Sequence, residues 1–319
     1  MVFPVLNMYK VWQLDPSKPV VKALAQPWYM DLPARYLRTT TYLGLALFTY
    51  CFCFPLAQAA TLQPGWMALV VARNVAIGHI LYGGWHHFLY KSRFKDKMKS
   101  HKFNPRYPRE AQWAHDRFWS TVGFCIESAI EIGMYHLWAT GKAEYYTDFW
   151  AYPMWSVGWM LFIPYWHDFH FWFIHRMIHF EPLYKWVHSL HHKSFNPGPW
   201  SGFSMHPVES TIYLSSCLFP ALFLPQHPIH FLFKKFYTSI SPIGGHDGFD
   251  QPGGGSFIHY LHHAHFNCNY GTTMVPLDKL FGTYEDGSKW AKHMDKKKEQ
   301  EKQKETDKAA ASAAAAKTN

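Results

Sequence analysis

Three strings of histidine lie in the second half of this chain at spacings that suit metal coordination. They are His175-Arg-Met-Ile-His179, His188-Ser-Leu-His191-His192 and His259-Tyr-Leu-His262-His263. On an α-helix, positions i, i+3 and i+4 share one face, so each string is expected to turn its imidazoles one way. The eight imidazoles of these strings exceed the needs of one tetrahedral zinc. They suit two metal ions with exchangeable positions, and nitrogen donors suit iron, zinc, copper or nickel. A single His-x-x-x-His is ordinarily a core or surface pair; three strings in one chain are not. Phe173, Ile174, Leu183, Trp186 and Val187 between them would bury the ligand helices against something apolar.

The composition points to a membrane. Histidine, at 22 of 319 residues, equals Asp and Glu combined, and aromatic residues reach 19%, with 15 Trp. Trp and Tyr favour the boundary where one end of the ring is dry and the other wet. The net charge of +9 is concentrated between Lys91 and Arg117 and after Trp290. These basic stretches flank apolar runs, which favours orientation in a bilayer over binding to nucleic acid. The five cysteines (Cys51, Cys53, Cys125, Cys217, Cys268) form no disulfide framework or zinc ribbon, so a reducing, cytosol-facing site is expected. Met1 to Gln26 has no basic-then-apolar order, and no cleaved signal peptide is expected.

Apolar runs at 40–62, 66–90, 120–139 and 151–174 are each long enough for a span of about 20 residues. The turn at 63–65 has no Lys or Arg and the 140–150 connector has only Lys142, whereas the N-terminal segment and the 91–117 loop hold many. Basic loops mark the cytoplasmic side. The expected fold is therefore an all-α integral membrane protein: about four transmembrane helices in two hairpins, under a cytosolic histidine-rich helical cap. The expected division is an N-terminal interfacial segment (1–38), transmembrane hairpins (39–165), a histidine domain (166–290) and a charged low-complexity tail (291–319). The apolar stretch 211–233, broken by Pro220, Pro225 and Pro228, reads as a re-entrant or interfacial helical pair, and 244–256 reads as a Gly-rich loop.

From Trp166 to Gly287 the chain resembles the fatty acid hydroxylase / sterol desaturase superfamily of membrane di-iron oxidases. The resemblance rests on the three strings, on Pro182-Leu183-Tyr184-Lys185 before the second, and on His206-Pro207-Val208-Glu209. It continues through His246-Asp247-Gly248-Phe249, Asn269-Tyr270-Gly271 and the Asp278-Lys279-Leu280-Phe281-Gly282-Thr283 ending. His206-Pro207 places it nearest the sterol desaturase branch. The resemblance implies that His175, His179, His188, His191, His192, His246, His259, His262 and His263 hold two non-haem iron ions, with His206 and Asp250 as further candidates. Asp250 stands where several relatives carry a second histidine. Ligating imidazoles usually pass their other N–H to a carboxylate or carbonyl; the candidates for this outer role are Asp168, Glu209, Asp247, Asp250 and Asn269. The implied reaction uses dioxygen to desaturate or hydroxylate a membrane lipid, a sterol or sterol precursor in first place, in the endoplasmic reticulum. Electrons would come from NAD(P)H through an external carrier such as a cytochrome b5-like protein, since the chain has no dinucleotide or haem segment of its own.

Other readings stay open at this stage. On the same scaffold they are a fatty acyl or sphingolipid hydroxylase and a squalene-type epoxidase. In a different class they are a non-enzymatic metal- or haem-binding membrane protein. Adjacent His-His pairs beyond a span disfavour haem, and the placement of most histidines after the fourth span disfavours a transporter. Glu127 and Glu131, spaced i, i+4 in an apolar run, either support ligand histidines or pair with Arg73. His167 is a candidate for contact with the ligands, and His79, His86 and His87 read as polar residues at a span's end.

Overall fold

The computed structural model describes residues 32–104, 106–249, 255–272, 274–287 and 303. Asp250, nearly all of the expected N-terminal segment and nearly all of the expected tail lie outside them. The chain divides into two compact units, 1–283 and 284–319, and the elements below belong to the first. It is built from helices, and among the described residues β-structure is limited to two isolated bridges, Lys102 with Phe249 and Tyr145 with Gln226.

The long helices are α1 (Leu32–Phe52), α2 (Pro64–His86), α4 (Glu110–Ala139) and α5 (Pro153–Ile178), with a short α3 (Lys95–Met98) between the second and fourth. A π-turn, His87–Lys91, continues α2. Next come α6 (Glu181–Trp186), two 3-10 turns (His188–Lys193 and Pro199–Phe203), α7 (Pro207–Phe223), α8 (Pro228–Ile240), α9 (Pro242–His246), α10 (Gly255–His265) and α11 (Leu277–Leu280). Proline opens α2, α5, α6, α7, α8 and α9, where its missing N–H leaves no intrahelical bond unmade. His206 and His227 cap α7 and α8: each Nδ1 accepts from a backbone N–H two residues on, at 3.2 Å.

Two helices differ from expectation. The first apolar run does not stay helical to Leu62. The helix stops at Phe52 because Pro55 withholds a donor and pushes Phe54 out of helical geometry. The 211–233 stretch is a helical pair, as expected, and its second helix is more buried than an interfacial helix would be. It divides between α7 and α8, and α8 is buried along nearly its whole length, in contact with α1, α5 and α7.

Burying α8 requires polar partners for its two lysines, Lys234 and Lys235. Lys235 reaches Glu131 at 2.9 Å and Glu127 at 3.3 Å, while Arg73 of α2 pairs with Glu131. Asn74 donates to Glu131 at 2.8 Å and accepts from Lys235 at 3.0 Å. Two cations and two carboxylates thus cancel in one network that ties α2, α4 and α8. Glu127 and Glu131 belong to this structural cluster and to none of the ligand imidazoles. Outside it, Leu47, Phe48, Leu69, Ile80, Leu161 and Phe162 are exposed apolar residues on α1, α2 and α5. Pro64–Lys91 is the one helix among the described residues long and apolar enough to cross a membrane.

Candidate metal centre

The nine sequence-predicted histidines meet in two groups. His175, His179, His188, His192 and His262 form one; His191, His246, His259 and His263 form the other, and within each group the ligand nitrogens lie within 4.8 Å of one another. In the first group, His179 Nε2 lies 3.0 Å from His188 Nε2 and 3.2 Å from the Nε2 atoms of His192 and His262. In the second, His246 Nε2 lies 3.2 Å from His191 Nε2 and 2.9 Å from His259 Nε2.

The histidine strings do not map one to a group. His175 and His179, His188 and His192, and His259 and His263 each share a group at i, i+4. The i+3 members, His191 and His262, join the other group. On an α-helix, i+3 and i+4 differ by about 100°, so three rings on one face diverge too far to reach one ion. The second string also departs from expectation by folding as a 3-10 turn.

The outer ring nitrogens say which atom faces inward. His175 Nδ1 donates to Tyr270 O at 2.6 Å, His191 to Ser204 O at 3.2 Å, His246 to Pro242 O at 2.9 Å and His262 to Cys268 O at 2.6 Å. His188 Nδ1 meets Glu209 Oε1 at 2.7 Å. A proton held on Nδ1 leaves Nε2 with its lone pair, so the converging nitrogens of these five rings are acceptors, as where His191 and His246 meet at 3.2 Å. Nitrogen lone pairs about 3 Å apart have nothing to donate to one another and need a shared cation. Both nitrogens of His263 are buried without a hydrogen-bond partner, which is the same deficit seen at one ring.

Burial keeps these rings neutral. It lowers His191 to about 4 and His262 to about 3, and takes His188, His192, His246, His259 and His263 well below the ordinary imidazole value. Burial also pushes the Glu209 carboxyl well above the usual carboxylate range, and its Oε2 is buried without a partner. Neutral imidazoles, and a buried carboxyl that only nearby positive charge would hold ionised, fit metal ions as the missing component. Nitrogen-rich donor sets suit iron among the first-row metals.

The other predicted residues take different places. Asp168 accepts from Thr272 Oγ1 and from Val275 N at 3.0 Å, fastening the 272–275 loop to α5. Asp247 accepts from Trp85 Nε1 at 3.2 Å and Phe249 N at 3.1 Å. Asn269, at φ 54°, donates to Ile258 O of α10 at 3.1 Å. His206 is the α7 cap and stands outside both groups, as does the exposed His265. Asp278 has a positioning role that its sequence context does not state. Its carboxylate accepts from Tyr270 N at 2.9 Å, Gly271 N at 2.8 Å and Trp172 Nε1 at 3.2 Å. It thereby sets the loop whose Tyr270 carbonyl orients His175. Its place in the Asp-x-x-Phe-Gly-Thr motif was the available signal.

One cavity opens on both groups. His175 and His188 from the first and His191, His246 and His259 from the second line it. Phe171, Ile174, Ile178, Met205, Tyr213 and Met274 give it apolar walls.

Residues 160–283, which contain all nine histidines, match the family model for fatty acid hydroxylase. The chain is 30% identical over 155 residues to a Delta(7)-sterol 5(6)-desaturase of Gibberella zeae, covering 47% of this chain and 42% of the relative. It is 33% identical over 133 residues to the Delta(7)-sterol 5(6)-desaturase of Eremothecium gossypii, covering 40% and 37%. It is 26% identical over 218 residues to methylsterol monooxygenase 1 of Danio rerio, covering 63% and 73%. The chain thus spans less than half the length of these two desaturases. No solved structure matches. The resemblance read from the histidine strings and their flanking motifs is borne out, including its lean toward the sterol branch.

Proposed function

We propose that this protein is a membrane-bound non-haem di-iron oxidase that uses dioxygen to desaturate or hydroxylate a lipid, namely a sterol or sterol precursor. The observation that carries the reading is the pair of imidazole groups opening on one apolar cavity. His175, His179, His188, His192 and His262 would hold one ion, and His191, His246, His259 and His263 the other. Bound there, the irons would supply the oxidising power to attack an unactivated C–H bond with dioxygen. The chain's own groups do the rest. Backbone carbonyls and Glu209 fix the ring tautomers. Phe171, Ile174 and Ile178 exclude water and present the hydrocarbon to the centre.

The membrane reading draws on the exposed apolar side chains of α1, α2 and α5 and on the length of Pro64–Lys91. In this reading α1, α2, α4 and α5 form the two hairpins of an endoplasmic reticulum protein with its histidines toward the cytosol. Electrons reach it from NAD(P)H through an external carrier, a cytochrome b5-like protein, for which Lys91, Lys95, Lys97 and Lys99 offer a basic surface. A second reading, hydroxylation of a methylsterol, is favoured by the length of the match to methylsterol monooxygenase 1.

Lipid profiling of a sterol-requiring host that expresses the chain tests the activity. New unsaturated or oxygenated sterols are expected. His188→Ala and His262→Ala should each abolish them while the protein stays membrane-bound, and full activity in either variant would overturn the assignment.

A further inference from the structure

The cavity contains a polar ring that neither imidazole group uses. His167 lies on α5 two turns before His175, is 4% exposed, and lines the cavity. Its ring stacks on Phe171 with centroids 6.0 Å apart at 9°, and Phe171 stacks on His175 at 4.9 Å and 23°. His167 therefore sits two ring-stacking steps along the wall from a candidate iron ligand.

Lys234 of α8 determines how that ring is protonated. The Lys234 ammonium reaches His167 Nδ1 at 2.9 Å, Ser216 Oγ at 2.8 Å and Thr238 Oγ1 at 2.6 Å. An ammonium has three donors and no acceptor. With Lys234 protonated all three are used here, and His167 Nδ1 is then the acceptor. The ring proton then sits on Nε2, the nitrogen left toward the cavity. Among the described residues Nε2 has no hydrogen-bond partner. An N–H that faces the cavity can pair with an oxygen on whatever fills it.

We infer that His167 is a specificity-determining residue whose Nε2–H hydrogen-bonds the hydroxyl of a sterol and so sets which carbon faces the imidazole groups. This rests on the oxidase reading and adds the feature of the lipid that is recognised. The apolar walls grip a hydrocarbon body without fixing its register along the cavity. One hydrogen bond at a set distance from His175 does fix it. In a sterol the carbon that bears the hydroxyl, carbon 3, is one bond from carbon 4 and two from carbon 5, so anchoring that oxygen at His167 holds those carbons on the side of the ligand rings.

The test is equilibrium binding to the purified, iron-loaded full chain in lipid nanodiscs, read by displacement of a radiolabelled sterol. The probes are a 7-ene sterol and the same hydrocarbon without its 3-hydroxyl. The wild type should bind the sterol about tenfold more tightly, the worth of one ordinary hydrogen bond. His167→Phe, which keeps the stack and removes the donor, should bind both alike. His167→Gln, which restores an N–H at similar reach, should recover most of the preference, and Lys234→Met should weaken it. Iron content and melting temperature report whether each variant folds. Undiminished preference in folded His167→Phe, or no preference in the wild type, overturns the inference. Turnover is scored separately. A wild type that binds with the expected preference but oxidises neither probe sinks the oxidase reading and leaves this inference standing.

Discussion

Glu209 shows most directly how single residues make the centre. Its carboxylate is buried against His188 with one oxygen unpartnered, a state that a nearby cation stabilises. Glu209→Gln keeps the shape and removes the charge. It should lower iron affinity by about 10- to 100-fold, measured by competition with a chelator. The imidazoles give a second expectation. Each ring's folded pKa lies below its unfolded value of 6.5, with His191 at about 4 and His262 at about 3. A base with a depressed folded value takes up a proton on unfolding, so the iron-free protein keeps its full stability above pH 6.5 and loses it as pH falls toward 4. The slope per titrating ring is about 1.4 kcal/mol per pH unit. Unfolding scans of chelator-stripped protein between pH 7 and pH 4 should show the midpoint dropping steeply. A flat profile would mean that the rings are not buried as described. Tyr270, Cys268 and Ser204 matter through carbonyl oxygens, which no side-chain pattern announces.

Among the elements, the contact between the 3-10 turn Pro199–Phe203 and α9 leaves no room for a side chain. A Cβ on Gly202 would meet Pro242 O at 2.7 Å. That same carbonyl orients His246. Gly202→Ala should therefore cost about 1–3 kcal/mol through overpacking and also loosen iron in the His246 group. Thermal melting and iron content should fall together, and a normal iron load in a destabilised variant would separate the two roles. The histidine strings show why spacing alone was insufficient here. It identified the i, i+4 pairs that share a group but not the i+3 members that cross over, because the assignment depends on how α5, α10 and the His188–Lys193 turn pack. Likewise α8 reads as an apolar fragment in sequence and is a central helix in the fold. Its two lysines are tolerable inside only because α2 and α4 bring Glu127, Glu131 and Asn74, and α5 and α7 bring His167 and Ser216.

On the scale of the whole molecule, a network of cancelling charges and an outward apolar surface share one bundle. If α1, α2, α4 and α5 lie in a bilayer, the protein should remain in the membrane fraction after alkaline carbonate extraction and need detergent for release. Recovery in the carbonate supernatant would remove the hairpin topology and leave the cavity intact. The cavity lies where α5 and α7 meet the histidine-bearing turns.

Sequence alone singled out the nine histidines that converge and the helical class, because metal coordination demands particular side chains and apolar helices demand long apolar runs. It also gave the family likeness, through motifs that keep their order and spacing. It did not determine which histidines share an ion, that Asp278 governs the loop behind His175, or that Lys234 turns His167 toward the cavity. Those depend on contacts between residues far apart in the chain, and the direction of a ring is fixed by its neighbours in space. Only the packed tertiary structure supplies them.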